Sequence, residues 1–219
     1  MRKTVFLFSL SLLTGFATMA QVDSPAGSNV ETGTIGKMKV AAFNSLNAKG
    51  AALVTAIKPT KAALSTADND LLMQVAMGGQ KQLAVSQAAL GKVTNPQVKL
   101  LAQSEVDEQT SIAAKLKEVT TAKGVTLPAE PAASADSLLS QMNSLSGAEL
   151  DAFYVAQSGI KGHQELLATM TTVNKTAKDP ALKALATATL PVIRLHLKVS
   201  TDVHTSQNAS GNSSANSFK

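Results

Sequence analysis

Two Asx-Pro pairs, Asn95-Pro96 and Asp179-Pro180, constrain what this chain can fold into more than any other feature. In each pair a side chain suited to capping a helix precedes the residue best tolerated at the first helical position, so each marks a helix start. The segment before and after the first start, GGQKQLAVSQAALGKVTNPQVKLLA (78–102), aligns without a gap on GHQELLATMTTVNKTAKDPALKALA (162–186) at a constant offset of 84, and eight of the 25 positions are identical. Two similar helix-loop-helix units in one chain of 219 residues, rich in Ala, Leu, Lys and Gln and only 3% aromatic, point to an all-α fold.

The remaining helix signals fit that reading. Thr66 or Asp68 is placed to cap a helix to about Val93, and Gly124 ends the one that starts at Pro96. Ser134 opens a short helix through about Asn143, and Ser146-x-x-Glu149 has the form of a capping box ahead of a long helix to about Thr176. The helix launched by Asp179-Pro180 is expected to reach about His204, with Pro191 kinking it. Four long helices with one short extra helix and short connections make a bundle.

Outside residues 66–205 the sequence changes character. MRKTVFLFSLSLLTGFATMA (1–20) reads as a secretory signal peptide, with a basic start, a short apolar run and small residues at its end. A periplasmic or cell-envelope location follows as the expectation, and no later stretch has the roughly 18 apolar residues of a spanning helix. Residues 21–65 form a basic N-terminal segment: 21–36 reads as a linker, and AAFNSLNAKGAALVTAI (41–57) holds the alanine and leucine for a helix. That segment carries Lys37, Lys39, Lys49, Lys58 and Lys61 with no acid between Thr32 and Ala67, which suits weak attraction to anionic envelope polymers. Residues 206–219 (SQNASGNSSANSFK) read as a disordered polar tail. With no Cys, one Tyr and no Trp, disulfides, thiolate chemistry and the stacking platforms of nucleic-acid binding are all excluded.

Helical projection at about 100° per residue turns a set of polar side chains inward. Val98, Leu101, Ile112, Leu116 and Val119 form one stripe, with Glu105 at its centre, Glu108 and Gln109 on its shoulders and Asp107 facing away. His163 falls inside an arc of Phe153, Ala156, Ile160, Leu166, Leu167, Met170 and Val173, and His196 inside an arc from Leu182 to Val203. Gln82 lies inward between Leu71 and Val75. A buried carboxylate costs several kcal/mol unless it is paired, bonded or protonated, so these groups are expected to meet. A standard di-iron centre needs Glu-x-x-His, yet Ile160 and Ile193 stand three residues before the histidines. What the spacing leaves is a sparse site for a single divalent transition metal from Glu105 or Glu108 with His163 and His196. No catalytic constellation of Ser, His and Asp can be assembled by spacing.

In order along the chain, DNDLLMQVAMGGQKQLAVSQAAL, NPQVKLLAQSEVDEQT, KGVTLP, LSGAELDAFYV, GHQELL and KDPALKALATATLPVIRLHL resemble the bacterial ferritin-like family catalogued as domain of unknown function 4142. The resemblance covers about Thr66 to His204 and implies a secreted or envelope-associated ferritin-like bundle without an assigned activity. Family members usually carry Glu where this chain has Gln82, and an acidic pair followed by His where it has Asp107, Glu108 and Gln109. The resulting expectation is an extracytoplasmic ferritin-like bundle, not an enzyme, in which Gln82, Glu105, Gln109, His163 and His196 form a core hydrogen-bond network. The alternative is a metal-binding or oxidative-stress protein using Glu108, His163 and His196.

Overall fold

The computed structural model describes residues 33–128 and 133–216, and for residues 133–134 and 210–216 only the backbone. The signal-peptide reading of residues 1–20 lies outside the described residues. A two-stranded antiparallel hairpin, β1 (Thr34–Ile35) and β2 (Met38–Lys39), leads directly into α1 (Val40–Thr55). Then follow α2 (Thr66–Leu90), α3 (Pro96–Lys123), α4 (Ala133–Asn143) and α5 (Gly147–Tyr154). A π-helical segment (Val155–Gly162) joins α5 without a break to α6 (His163–Thr176), and α7 (Pro180–Asn216) closes the chain. The fold is all-α apart from the hairpin, and none of its described helices is long and apolar enough to cross a membrane.

The loop chemistry ties helices to one another as well as starting them. Asn95 accepts from the backbone N–H of Gln97 at 2.9 Å, and Asp179 accepts from Ala181 and Leu182 at 3.0 and 3.1 Å, so both Asx-Pro starts are capped. Lys123, at the end of α3, makes a buried ion pair with Asp179 and donates to Ala62 O and Thr60 Oγ1. Asp151 of α5 accepts from the N–H groups of Thr94 and Asn95, which fixes the α2–α3 turn. Gly124, at φ +67°, ends α3 in the left-handed region that favours glycine.

Four sequence expectations are corrected. The cap of α2 is Ser65, which accepts from Asp68 N–H at 3.1 Å; Asp68 itself reaches across the molecule to accept from the Lys178 and Asp179 N–H groups. Ser146 makes no side-chain cap bond, because Gly147 at φ +53° turns the chain into α5 instead. Residues 33–36, expected as linker, belong to the hairpin: Ile35 is fully buried and the Gly36 N–H donates to Gln97 Oε1 at 2.8 Å. The polar residues 206–216, expected to be disordered, continue α7 as far as Asn216. Around its start the hydroxyls of Thr201, Thr205 and Ser206 bond carbonyls four residues back, which satisfies them within the helix.

Within residues 40–57, α1 (Val40–Thr55) docks on the bundle as a helix, with Ile57 just beyond its end. Val40, Phe43, Val54 and Ile57 are all buried, and α1 packs against α3 and α7. At Gly50 the helices approach so closely that a Cβ would lie 2.3 Å from Val192 Cγ2. Lys37, Lys39, Lys49, Lys58 and Lys61, in and around this helix, are all exposed; the side chain of Lys37 is 79% exposed.

The core has two apolar parts. One gathers Leu72, Val75, Ile112, Leu116, Val173 and Leu182, among others. The second gathers Phe43, Val85, Val98, Leu101, Tyr154 and Val199. On α1, α2, α3 and α7 alike, the residues of one cluster precede a buried or half-buried polar position and those of the other follow it. Phe43, fully buried beside the His196 ring with centroids 5.5 Å apart, closes the second cluster against that polar layer. Phe43→Ala is expected to cost about 3–5 kcal/mol, read from urea denaturation of the full chain. A loss below about 1 kcal/mol would mean that α1 contributes little to the core.

Candidate metal centre

The polar layer is assembled from every long helix and from α1. Glu105, Glu108 and Gln109 come from α3, His163 from the start of α6, and His196 from α7. Gln82 comes from α2 and Asn47 from α1. Glu105 and His196 are each 1% exposed and His163 3%, so all three are effectively out of water. Asp107, one position from Glu108, is exposed and accepts from its neighbour Gln103, as its place on the helix predicts.

Glu105 Oε2 is the centre of the constellation. His163 Nε2 lies 2.9 Å from it and His196 Nδ1 3.2 Å, while Glu108 Oε2 is a further 3.2 Å from the same His196 nitrogen. One ligand atom each from Glu105, His163 and His196 falls within 4.8 Å of the others. The outer faces of both imidazoles are occupied. His163 Nδ1 donates to Ser158 O at 3.0 Å, and since a carbonyl only accepts, the proton on that nitrogen is fixed. His196 Nε2 lies 2.7 Å from Asn47 Oδ1, which in this amide orientation accepts its proton. Each ring therefore turns its other nitrogen toward the carboxylates. His163 Nε2 and both Glu108 oxygens are buried without a hydrogen-bond partner, so the 2.9 Å approach of His163 to Glu105 is a charge contact with poor hydrogen-bond alignment.

The layer is held in place from behind. Gln109 Nε2 donates to Glu105 Oε1 at 3.0 Å, and Gly79 makes room for it: a Cβ there would lie 2.9 Å from Gln109 Oε1. The hydrogen bonds of Gln82 go to Ser158. Its Nε2 donates to Ser158 O at 3.2 Å and its Oε1 accepts from Ser158 Oγ at 3.0 Å, so it fixes the carbonyl that orients His163.

The π segment brings that carbonyl into position. A Cβ on Gly162 would lie 2.6 Å from the Gln82 amide, and one on Gly159 would lie 2.7 Å from Ser200 Oγ, so only glycine permits the widened backbone to sit against α2 and α7. The segment also corrects the inward arc expected for the α5–α6 stretch. Tyr154, Val155, Ser158 and Gly159 are buried there, while Phe153, Ala156 and Ile160 are half-buried. A π turn takes an extra residue, so an α-helical projection carried backward from His163 slips in phase by about one position.

Charge explains how such a layer is tolerated. Among the described residues the ionic contacts of Glu105 and Glu108 are to histidines, with no lysine or arginine. Burial alone would raise the Glu105 carboxyl, but the charge of His163 and the close approach of both imidazoles overcome it and hold Glu105 well below the usual carboxylate range. Burial, joined by the negative charge of Glu105, pushes Glu108 up to about 8. His163 is lowered by burial but raised further by Glu105, to about 9, whereas burial dominates at His196 and lowers it. Near pH 7 the four side chains thus hold one carboxylate, one carboxylic acid, one imidazolium and one neutral imidazole.

Two members were not visible as such in the sequence. Asn47 lies four residues after Phe43 and three before Gly50, on the buried stripe that runs to Val54, and that spacing was its only signal. Ser158 acts through its carbonyl, for which no side-chain pattern exists; the glycines at 159 and 162 inside a helix were the available clue.

The family described as domain of unknown function (DUF4142) matches residues 54–203. The chain belongs to that family. The match spans α2 to α7 with every histidine and carboxylate of the layer, but begins after Asn47 and most of α1. No curated protein and no solved structure matches this DUF4142 member.

The folded-state shifts set a pH dependence. An imidazole raised from 6.5 to about 9 stabilises the fold fully below pH 6.5 and loses that contribution as pH climbs through about 9. A carboxyl raised from 4.5 to about 8 acts in the same direction, losing its contribution between those values. The urea midpoint of metal-free protein is therefore expected to fall from pH 6.5 to pH 9. Glu108→Gln, which cannot ionise, should flatten the part of that fall below pH 8; a midpoint that rises over this interval would refute the charge assignment.

Proposed function

We propose that this DUF4142 member is an extracytoplasmic, ferritin-like helical protein that holds one divalent transition-metal ion between Glu105, Glu108, His163 and His196. The observation that carries the proposal is the orientation of the two imidazoles. Each has its outer nitrogen occupied by an oxygen acceptor and its inner nitrogen close to the same carboxylate oxygen, at 2.9 Å for His163 and 3.2 Å for His196. Metal-binding histidines are usually oriented in this way, by a bond from the nitrogen that does not bind the ion.

The donor set fits as well. Two nitrogens and two carboxylate oxygens suit zinc and its neighbours in the first transition row. Ligand bonds of about 2.0–2.2 Å at tetrahedral angles separate donor atoms by about 3.3–3.6 Å; Glu105, His163 and His196 offer donors that all lie within 4.8 Å of one another, and Glu108 Oε2, 3.2 Å from His196 Nδ1, joins them by a movement of its side chain. A divalent cation entering as two protons leave keeps the buried cluster neutral. Zinc at such a centre would supply charge compensation and rigidity; no reaction is assigned to it.

After dialysis against EDTA, the full chain is expected to take up one zinc ion and to melt at a higher temperature with it. His163→Ala and Glu105→Gln should abolish stoichiometric uptake, and Asn47→Ala should weaken it about 10–100-fold through loss of orientation. A chain that takes up no stoichiometric zinc, manganese or iron and shows no thermal response would overturn the proposal.

A second reading, a proton-compensated network that fixes helix register, is favoured by the bonds of Gln82 to Ser158 and Gln109 to Glu105. It predicts that His163→Ala lowers the melting temperature while the wild-type chain ignores added zinc.

The extracytoplasmic part of the proposal rests on residues 1–20. Expressed in a Gram-negative host, the protein is expected in the periplasmic fraction with the intact mass of residues 21–219; recovery from the cytoplasm at full mass would remove that part.

A further inference from the structure

Beside the layer lies a pocket of about 420 Å³, bounded by α1, α3 and α7. That volume is in the range of small-molecule sites. Its walls are mainly apolar, with Val54 from α1, Leu100 and Ile112 from α3, and Ala188 and Val192 from α7. Gly50 fixes the spacing of the α1 and α7 walls by direct contact with Val192. At the rim, Gln103 and Asp107 satisfy each other with a 2.8 Å hydrogen bond.

Two lining residues have buried polar atoms without partners. Asn47 gives its Oδ1 to His196, which leaves Nδ2 buried and unbonded. Glu108 Oε1 is likewise buried without a partner, while its Oε2 faces His196 Nδ1 at 3.2 Å. Leaving such groups unsatisfied is unfavourable, and an occupant that bonds both removes that cost. The occupant must accept from an amide N–H and donate to a carboxyl oxygen, with an apolar body to cover the walls. An anion is disfavoured, since no lysine or arginine lines the pocket while Asp107 and Glu108 do. A cation is disfavoured at the Asn47 end, where the unmet group is a donor.

We propose that this pocket binds a small uncharged organic molecule with an apolar body and an amide or alcohol head, the head seated between Asn47 Nδ2 and Glu108. The proposal goes beyond metal binding and does not require it, because the two polar atoms and the apolar walls exist without an ion.

The test uses the full chain, stripped with EDTA, titrated with hexanamide, hexanoate and hexylammonium and followed by heteronuclear NMR. Hexanamide is expected to give saturable shifts around the pocket and to bind at least about tenfold more tightly than hexanoate. Ala51→Phe places a ring at the mouth on an exposed helix position and should abolish the shifts while leaving the fold intact. Asn47→Asp keeps an oxygen for His196 but removes the donor, and should weaken hexanamide about fivefold or more. The proposal is overturned if hexanamide does not saturate up to its solubility limit, if hexanoate or hexylammonium binds as tightly, or if Ala51→Phe leaves binding unchanged. Zinc uptake by the same preparation is scored separately, so failure of the pocket and failure of the metal centre are distinct results.

Discussion

Glu105 is a carboxylate placed in the middle of an apolar stripe, 1% exposed and with no lysine or arginine among its ionic contacts. An isolated charge in that position costs several kcal/mol, and the molecule answers by converging on it from all sides. α6 and α7 each send a histidine, α3 itself returns Gln109, and the second row behind them consists of Asn47, Ser158 and Gln82. The apolar clusters on either side are kept apart by this layer. Because polar partners in a dry interior must meet at hydrogen-bond distance, sliding any one helix by a turn would strand several of them, whereas an all-apolar core would tolerate the slide better.

Three glycines are part of the same answer. At Gly79, Gly159 and Gly162 the missing side chain is filled by Gln109, Ser200 and Gln82 respectively. The polar layer is thus packed by bringing backbones close to amides and hydroxyls, and a methyl group at any of the three would push one of those side chains out of place. The layer is costly to alter one residue at a time for this reason, and the cost falls on second-row residues as much as on the histidines.

Most of this was legible in the sequence because helical phase and capping are local. Asn95-Pro96 and Asp179-Pro180 start helices where local chemistry says they must, and the stripe on α3 puts Glu105 inward and Asp107 outward by phase alone. What escaped was non-local or backbone in origin. Whether α1 docks depends on where Phe43 and Gly50 find partners on α7, and no pattern within residues 40–57 states that, so Asn47 went unnoticed as a partner of His196. The polar run after His204 was read from composition, while the hydroxyls of Thr205 and Ser206 bond helix carbonyls.

The π segment bears on how such a centre is gained or lost. It interposes extra backbone between α5 and α6, and the helical phase of everything after it depends on that insertion. Were the same residues wound as regular α-helix, each would turn further round the axis, and His163 would swing by about 100° relative to the Tyr154 side. Such rewinding would separate the imidazole from Glu105 without changing any side chain of the cluster, whereas a regular helix one residue shorter would keep both in place, making the centre a property of backbone register as much as of residue identity.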